Sequence, residues 1–171
     1  MAATVLLGVL GLAAVRVAAP AEPTRPAAPV DAPSAVARRE IPPLMLATYQ
    51  RAARVKCPGL HWAILAGIGK VETDHGRNRA VSTAGARGPM QFLPSSWASF
   101  GIDGDGDGRA EITDPVDSVF TAARYLCASH GDQLAHLRQA IWNYNHADWY
   151  VTRVLRAART YSTLPPIPAR G

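Results

Sequence analysis

The sequence predicts a single, mainly α-helical domain preceded by a tail, and three observations support this class. Apolar residues recur at helical spacing through most of the chain after residue 41. No segment there shows the sustained alternation of apolar and polar residues that marks a strand. The chain has 171 residues, of which 48% are hydrophobic, enough for one domain with a real core. We therefore expect packed helices and at most a small β-hairpin.

Residues 1–21 have the composition of an export signal or a short N-terminal anchor. Residues 4–15 form an uninterrupted apolar run that ends at Arg16, and Ala19-Pro20-Ala21 offers a small-residue cleavage site. A membrane helix needs roughly 20 apolar residues, so this run is short for one. No Lys or Arg precedes the run, which departs from the usual signal pattern. We expect a secreted or wall-associated protein, with a weak membrane anchor as the alternative.

The next segment, residues 22–40, is rich in Pro and Ala and contains no aromatic residue. This composition cannot bury a core and is typical of an extended linker. We therefore expect the folded domain to occupy residues 41–163, followed by a C-terminal tail over residues 164–171.

Start and stop signals divide the domain into six helical segments. Pro42-Pro43 precede the first segment, Pro58-Gly59 follow it, and Gly76 lies just past the second. Asp114-Pro115 form a good N-cap and first-turn pair for the fourth. Between the second and third segments, polar and glycine-containing residues 75–88 predict a loop or a small hairpin. The six segments are 44–55, 61–72, a shorter helical region within 90–100, 115–129, 133–143 and 147–161.

The net charge of +5 is spread along the chain, and no run of basic residues exceeds Arg38-Arg39. A nucleic-acid-binding domain usually carries a clustered basic stripe, so we expect no nucleic-acid partner. Diffuse positive charge suits an acidic polymer such as a bacterial wall, but it also fits simple solubility. We expect a monomer.

Cys57 and Cys127 are the only two cysteines of the chain. In an exported protein, such a pair is more often a disulfide than two free thiols. The enclosed loop of about 70 residues would give roughly 4–5 kcal/mol of stabilisation in the chain-entropy model. A metal site built on two lone cysteines, or a catalytic cysteine without a positioned histidine, is less consistent with this spacing.

The second helical segment carries one carboxylate on an apolar stripe. At 100° per residue, Leu65, Ile68 and Glu72 fall on one face of the helix. Partial burial disfavours the charged carboxylate and raises its pKa, as a general acid near neutral pH requires. The alternative is an ordinary, half-exposed Glu in a last helical turn. Asp74 lies about 200° around the helix from Glu72 and points away.

Three blocks stand in order along the sequence. They are Glu72-Thr73 followed by Gly76; residues 82–96, which read STAGARGPMQFLPSS; and Tyr144-Asn145 followed by Tyr150-Val151. Together they resemble the soluble lytic transglycosylase (SLT) domain of the lysozyme-like superfamily, and in motif the membrane-bound lytic transglycosylase B type. The resemblance covers roughly residues 44–160 and implies a lysozyme-like single domain.

By position, the resemblance implies roles for five residues. Glu72 matches the catalytic acid, and Ser82 matches a hydroxyl that hydrogen-bonds and orients that carboxylate. Gln91 matches an amide at the cleft wall, while Tyr144 and Asn145 match residues around the scissile bond. The alternatives are a plain turn residue for Ser82, and helix capping or a buried structural bond for Gln91 and Asn145.

Two residues beside the cleft depart from the family pattern. Pro89 stands before the Met-Gln pair and Asn143 before Tyr144, where the family usually has small or apolar residues. These departures affect the expected fit of the substrate more than the chemistry.

The implied function is cleavage of peptidoglycan at the bond between N-acetylmuramic acid and N-acetylglucosamine. No second carboxylate lies in a block that the family uses for catalysis, so a single-acid mechanism without a cofactor is expected. Attack by the C6 hydroxyl of the same sugar would give a 1,6-anhydromuramyl end, and its proximity replaces a second carboxylate. A lysozyme-type hydrolase and a non-catalytic wall-binding accessory protein remain as alternatives.

Residues 103–114, which read DGDGDGRAEITD, have the spacing of an EF-hand loop and predict structural calcium. Gly108 takes position 6, and position 12 is Asp in place of the usual Glu. The alternative is a solvated acidic turn; a calcium-signalling protein is disfavoured because the loop stands alone. The predicted ligands are Asp103, Asp105, Asp107, the carbonyl of Arg109, Glu111 and Asp114.

Overall fold

The computed structural model describes residues 31–78 and 80–169, which form seven helices. No strand occurs in these residues, and a single antiparallel bridge joins Arg87 to Phe92. This confirms the mainly helical class with at most a rudiment of a hairpin. In chain order the helices are α1 (Ala35–Glu40), α2 (Pro43–Lys56), α3 (Trp62–Thr73), α4 (Pro94–Phe100), α5 (Pro115–Ala128), α6 (Leu137–Tyr144) and α7 (Asp148–Tyr161).

The predicted signal or anchor, residues 1–21, and the first part of the predicted linker, residues 22–30, lie outside the described residues. Within the part of the chain that is described, none of the helices combines the length and the apolar character needed to cross a membrane.

Helix α3 is the centre of the fold because it is apolar on nearly every side. All of its residues from Trp62 to Gly69 are buried. It packs against α2 on one side and α7 on the other. Gly67 marks the crossing with α7, where an added Cβ would lie 2.5 Å from the carbonyl oxygen of Val154. Only glycine allows the two backbones to approach this closely, and the last turn of α3 is thereby fixed against α7.

The prediction of an extended linker over residues 22–40 is wrong for its last part, where residues 35–40 form α1. The side chain of Ser34 caps this helix by accepting a hydrogen bond from the Ala37 amide. Ser34 also donates from its amide to the carbonyl of Tyr161, at 2.8 Å. Ala37 is fully buried. Docking onto α7 supplies the stability that the composition of this short segment lacks.

The Cys57–Cys127 disulfide is formed and confirms the predicted pairing. Cys57 follows the last residue of α2, and Cys127 lies in the last turn of α5. Their Cα atoms are 5.4 Å apart, a usual separation for bridged cysteines. The bridge fixes α2 to α5, and the acidic loop that precedes α5 is held beside the same core.

Two helices begin later than their sequence patterns predict. The third segment, predicted from residue 90, becomes helical at Pro94, because Phe92 pairs with Arg87 across a tight turn. The fifth segment, predicted from residue 133, becomes helical at Leu137. Hydrogen bonds from Gln133 to His130 and from His136 to Gln133 form successive turns there instead.

Candidate active site

Glu72 lies in the last turn of α3 and is half-buried. Its Oε1 accepts a hydrogen bond of 2.5 Å from the hydroxyl of Tyr150, in the first turn of α7. Burial raises the pKa of the Glu72 carboxyl to about 7, although the hydrogen bond from Tyr150 acts in the opposite direction. At neutral pH a large fraction of this carboxyl is therefore protonated and able to donate its proton.

Two tyrosine rings form one wall beside this carboxyl. Tyr144 and Tyr150 stack with their centroids 6.4 Å apart and an interplanar angle of 5°. Burial first, and the negative charge of Glu72 second, hold the pKa of both phenols well above their ordinary value. Both hydroxyls therefore stay protonated. Tyr144 donates to the carbonyl of Met90 at 2.8 Å, which joins α6 to the segment between α3 and α4.

The chain leaves α3 through a tight reversal that returns it to the site. Asp74 and His75 have φ values of 50° and 60°, so the helix is closed by two left-handed residues. Thr73 is buried; its hydroxyl donates to the carbonyl of Pro89 at 2.6 Å and accepts from the amide of Gly76 at 2.8 Å. The residue that follows Glu72 therefore anchors the end of the helix to the loop.

Asp74 directly follows the last residue of α3 in a left-handed conformation, so the predicted rotation of about 200° around the helix does not apply to it. Lys70 donates to its Oδ1 at 2.6 Å, and Arg77 lies 3.4 Å from its Oδ2. The hydrogen bond from Lys70 lowers the pKa of Asp74, and the charges of Lys70 and Arg77 add to this effect. Asp74 is therefore a charged partner of basic residues and does not form an acid pair with Glu72.

The predicted hydrogen bond between Ser82 and Glu72 is wrong. Ser82 is exposed, and its Oγ accepts from the amide of Ala86 at 2.9 Å, as a turn residue does. Among the described residues, the hydroxyl that bonds Glu72 belongs to Tyr150. The sequence contained this signal, since Tyr150 stands in the third block of the resemblance. The sequence alone does not predict this contact, because Tyr150 and Glu72 are 78 residues apart and their separation in space depends on the fold.

Gln91 holds the loop rather than reaching Glu72 directly. Its backbone is left-handed, with φ of 50°. Its Nε2 donates to the carbonyl of Ala80 at 3.2 Å and to that of Gly88 at 3.1 Å. Asn145 follows the last residue of α6, and within residues 31–78 and 80–169 its side chain makes no hydrogen bond. Of these two amides, the one of Asn145 is thus free to meet a ligand.

The glycine motif of the second block connects the active-site loop to the acidic loop. Gly88 has φ of 76°, and a Cβ placed there would collide with the carbonyl oxygen of Ile112. Two residues on, the amide of Met90 donates to the Oγ of Ser118 in α5, at 3.3 Å. The loop beside Glu72 therefore lies directly on the end of the acidic loop and the start of α5.

The acidic loop gathers a different set of carboxylates from the predicted one. Carboxylate oxygens of Asp103, Asp105 and Asp117 lie within 4.8 Å of one another. Asp114, the predicted ligand at position 12, instead caps α5, because its Oδ1 accepts from the amides of Val116 and Asp117 at 2.7 and 3.0 Å. Asp114 thus acts as a helix cap in this structure, and its role as a calcium ligand stays a prediction. One helical turn later, Asp117 is buried, and its Oδ1 and Oδ2 accept hydrogen bonds from the amides of Gly104 and Glu111 at 2.7 and 2.8 Å.

The remaining predicted ligands lie around this cluster. Asp107 accepts from the amide of Arg109 at 2.8 Å, and Arg109 lies 3.7 Å from the carboxylate of Glu111. The backbone hydrogen bond from Asp107 lowers the pKa of Asp105, but burial and the neighbouring carboxylates outweigh it and raise that pKa. The loop thus combines crowded negative charge with oxygen donors only, which is the donor set that calcium prefers.

Residues 70–134 match the model of the family described as the transglycosylase SLT domain. The membrane-bound lytic murein transglycosylase B of Escherichia coli K12 is 42% identical over 67 residues, or 37% of this chain and 19% of that protein. The L-Ala–D-Glu endopeptidase of Bacillus subtilis 168 is 42% identical over 48 residues, or 28% of this chain and 14% of that protein. The chain thus matches less than a fifth of the length of either relative.

Solved structures of lytic transglycosylases share the fold. Escherichia coli Slt35 in complex with bulgecin A matches with a TM-score of 0.56 and 19% identity over 72% of this chain and 75% of that one. Slt35 in complex with calcium gives the same score and identity, with 76% of its chain covered. SltB1 of Pseudomonas aeruginosa matches with a TM-score of 0.53 and 18% identity, over 72% and 80% of the two chains. These likenesses confirm the predicted lysozyme-like fold.

Proposed function

We propose, from the similarity of residues 70–134 to the transglycosylase SLT domain, that this chain cleaves the glycan strands of peptidoglycan with Glu72 as acid and then base. One observation carries this proposal. Glu72 is a half-buried carboxyl with a pKa of about 7, held by Tyr150 beside the loop that the family motif forms. A non-catalytic wall-binding protein has no need of a carboxyl in this state.

In the proposed reaction, the protonated Glu72 donates its proton to the oxygen of the bond between N-acetylmuramic acid and N-acetylglucosamine. As this bond breaks, the N-acetyl group of the muramic acid stabilises the positive charge that develops at C1. The Glu72 carboxylate then accepts the proton of the C6 hydroxyl of the same sugar, whose oxygen bonds to C1. Glu72 ends as it began, and the product carries a 1,6-anhydro ring.

The surroundings of Glu72 support a single acid. Asp74 is engaged by Lys70 and Arg77, and the cluster of Asp103, Asp105 and Asp117 belongs to the acidic loop. Tyr150 supplies a hydroxyl that orients Glu72 and stabilises its charged form after the first proton transfer. Intramolecular attack replaces the base that a second carboxylate would otherwise supply.

Product mass tests this reaction. Purified peptidoglycan strands are digested with the protein, and the new muramyl ends are identified by mass spectrometry. We expect ends that are lighter by one water than those released by a lysozyme-type muramidase. Ends of the hydrated mass would replace the transglycosylase with a hydrolase on the same fold. Action on the wall also requires export, which the apolar run of residues 4–15 predicts.

We further propose that the acidic loop binds calcium structurally, with Asp103, Asp105 and Asp117 as carboxylate ligands. Asp107, the carbonyl of Arg109 and Glu111 remain the other oxygen donors of the predicted set. When bound, the ion would neutralise the crowded carboxylates and hold the loop in one conformation. Because Ile112 contacts Gly88 and Ser118 bonds Met90, the loop that carries Gln91 would be held with it.

A further inference from the structure

A groove of about 350 Å³ lies in the angle between the last turns of α3 and the middle of α7, beside the end of α1. Three basic side chains line it, Lys70 from α3 and Arg153 and Arg156 from α7. Its one acidic lining residue is Glu40, near Tyr161 at the α1 side. The groove is therefore positively charged.

The two arginines carry the uncompensated charge. Lys70 is already paired, at 2.6 Å from Asp74 and 3.8 Å from Glu40. Arg153 is exposed and lies over the ring of Trp149, at 5.4 Å. Arg156 is exposed as well, and no carboxylate in the described chain pairs with either guanidinium. Two guanidinium groups are thus available to an anionic ligand.

The groove adjoins the proposed active site through both of its helices. On α3, the lining residue Val71 directly precedes Glu72. On α7, Arg153 stands about one turn beyond Tyr150, the hydrogen-bond partner of Glu72. At the rise of a helix, Arg156 lies about 9 Å along the axis from Tyr150. Trp149 contacts both Arg153 and Tyr150, so it connects the groove to the catalytic carboxyl.

We propose that this groove binds free carboxylates of the peptide stems that the glycan strand carries. The inference rests on the proposed function, because it takes the strand to be the substrate. In peptidoglycan the stem is attached to the muramic acid, the sugar whose bond Glu72 would break, so the stem must leave the cleft close to Glu72. Guanidinium groups bind carboxylates through paired, charge-assisted hydrogen bonds. The protein is thus specific for peptide-bearing strands.

Paired substrates test this specificity. Soluble strands that retain their peptides are compared with the same strands after an amidase has removed the peptides. For the wild type we expect a higher kcat/KM on peptide-bearing strands, through a lower KM. In the double variant Arg153→Gln/Arg156→Gln, the ratio of the two kcat/KM values should fall about fivefold, the scale of exposed charge pairs. Raising the salt concentration should also lower the ratio of the two kcat/KM values for the wild type.

Arg159→Gln is the matched control, because Arg159 is exposed on the same helix and does not line the groove. This variant should keep the wild-type ratio. A double variant with an unchanged ratio overturns the inference and leaves the proposed function standing. The inference is also overturned, with the proposed function left standing, if the preference disappears when covalently attached phosphate polymers, rather than peptides, are removed from the strands.

A binding measurement separates this inference from the proposed function. Calorimetry with the Glu72→Gln protein measures the affinity for both kinds of strand without cleavage. If the wild type cuts neither substrate, yet Glu72→Gln binds peptide-bearing strands more tightly through Arg153 and Arg156, the groove is confirmed and the proposed reaction is wrong. Equal affinity for both strands overturns the groove whatever the activity.

Discussion

At the scale of single residues, the carboxyl of Glu72 is kept largely uncharged near neutral pH, and this lowers the stability of the native state. Its pKa rises from 4.5 to about 7 on folding. The stability that this group contributes is therefore complete below pH 4.5 and is lost as the pH rises through 7. The environment that keeps this carboxyl protonated near neutral pH thus destabilises the native state there, relative to a carboxyl with an ordinary pKa.

The first prediction concerns Glu72→Gln. Its activity on peptidoglycan should fall by at least about a thousandfold, because the amide of glutamine has no acidic proton to transfer. Its free energy of unfolding should exceed that of the wild type by about 2 kcal/mol at pH 8, a gain that shrinks towards pH 5. Urea unfolding at the two pH values measures the second effect. Substantial activity in the folded variant would remove Glu72 from the mechanism.

The second prediction concerns Tyr150→Phe. The hydrogen bond from Tyr150 lowers the pKa of Glu72, so its loss should raise that pKa further above 7. Because the acid form of Glu72 is the active one, the alkaline limb of the kcat profile should move to higher pH. The maximal kcat should also fall roughly tenfold, since the carboxyl is no longer oriented.

Tyr125→Phe is the matched control for this profile. Tyr125 packs against Tyr144, at 5.4 Å between ring centroids, and its hydroxyl bonds the carbonyl of Asn143 rather than Glu72. The alkaline limb should stay in place in this variant. A limb that moves equally in both variants would mean that the tyrosine cluster acts by packing alone.

At the scale of helices and loops, the sequence located most of the elements. The bounds of α2, α3, α5 and α7 lie within one residue of the predicted ones. Proline and glycine mark their ends, and those signals are local. Helix α1 was missed because it is six residues long and is stabilised by its contacts with α7 rather than by its composition.

The candidate site shows the same contrast between residues marked by local sequence signals and residues positioned by contacts between distant elements. Glu72 was predictable because its apolar stripe and its motif are both contiguous in the sequence. Tyr150 and Asp117 were not predictable in this way. Each lies in the first turn of a helix that is distant in sequence from its partner, and its contact depends on how that helix is oriented in the fold. Loop spacing favoured Asp114 as the twelfth-position ligand, although Asp114-Pro115 also predicted the N-cap that Asp114 forms on α5.

The third prediction separates these two aspartates. Calcium should raise the Tm of chelator-treated wild type, and Asp117→Asn should abolish most of that rise, because a charged ligand is lost. Asp114→Asn should retain the rise, since asparagine caps a helix as well as aspartate does. Thermal unfolding with and without millimolar calcium measures both. The opposite pattern would restore Asp114 as the ligand, and an unchanged wild-type Tm would leave the loop a plain turn.

At the scale of the whole molecule, one buried imidazole joins three helices. The Nδ1 of His75 lies 3.2 Å from the hydroxyl of Tyr49 in α2, and its Nε2 lies 3.0 Å from that of Tyr161 in α7. Tyr161 in turn donates to Glu40 of α1 at 3.3 Å. Since Tyr161 gives its proton to Glu40, it accepts one from His75, and Tyr49 donates to the other ring nitrogen. This arrangement requires a neutral imidazole.

Burial accordingly lowers the pKa of His75 to about 4, and the charges of Lys70 and Arg77 act in the same direction, against that of Asp74. The unfolded chain binds this proton near pH 6.5, so the stability from His75 is present above 6.5 and is lost as the pH falls towards 4. The contribution of Glu72 to stability changes in the opposite direction over nearly the same pH interval, because it increases as the pH falls. The two groups offset each other in the wild type.

The fourth prediction follows from this opposition. Between pH 6.5 and 4.5, Glu72→Gln should lose about 2 kcal/mol more of its unfolding free energy than the wild type, because the His75 loss is no longer offset. Adding His75→Phe to Glu72→Gln should remove most of this slope, whatever its effect on stability at pH 7. Urea unfolding across the interval measures the slopes. Parallel slopes in wild type and Glu72→Gln would contradict the opposition.

The disulfide has a further consequence when the chain is cut by a protease. It closes a covalent ring over residues 57–127, and residues 80–84, all exposed, form part of that ring. A protease that cuts this stretch therefore opens the ring without separating its ends. We expect protein nicked there to run as one species on a non-reducing gel, to separate into two fragments when reduced, and to keep its helical circular dichroism until then. Two fragments without reductant would contradict this. The folded molecule thus survives a first proteolytic cut in this stretch.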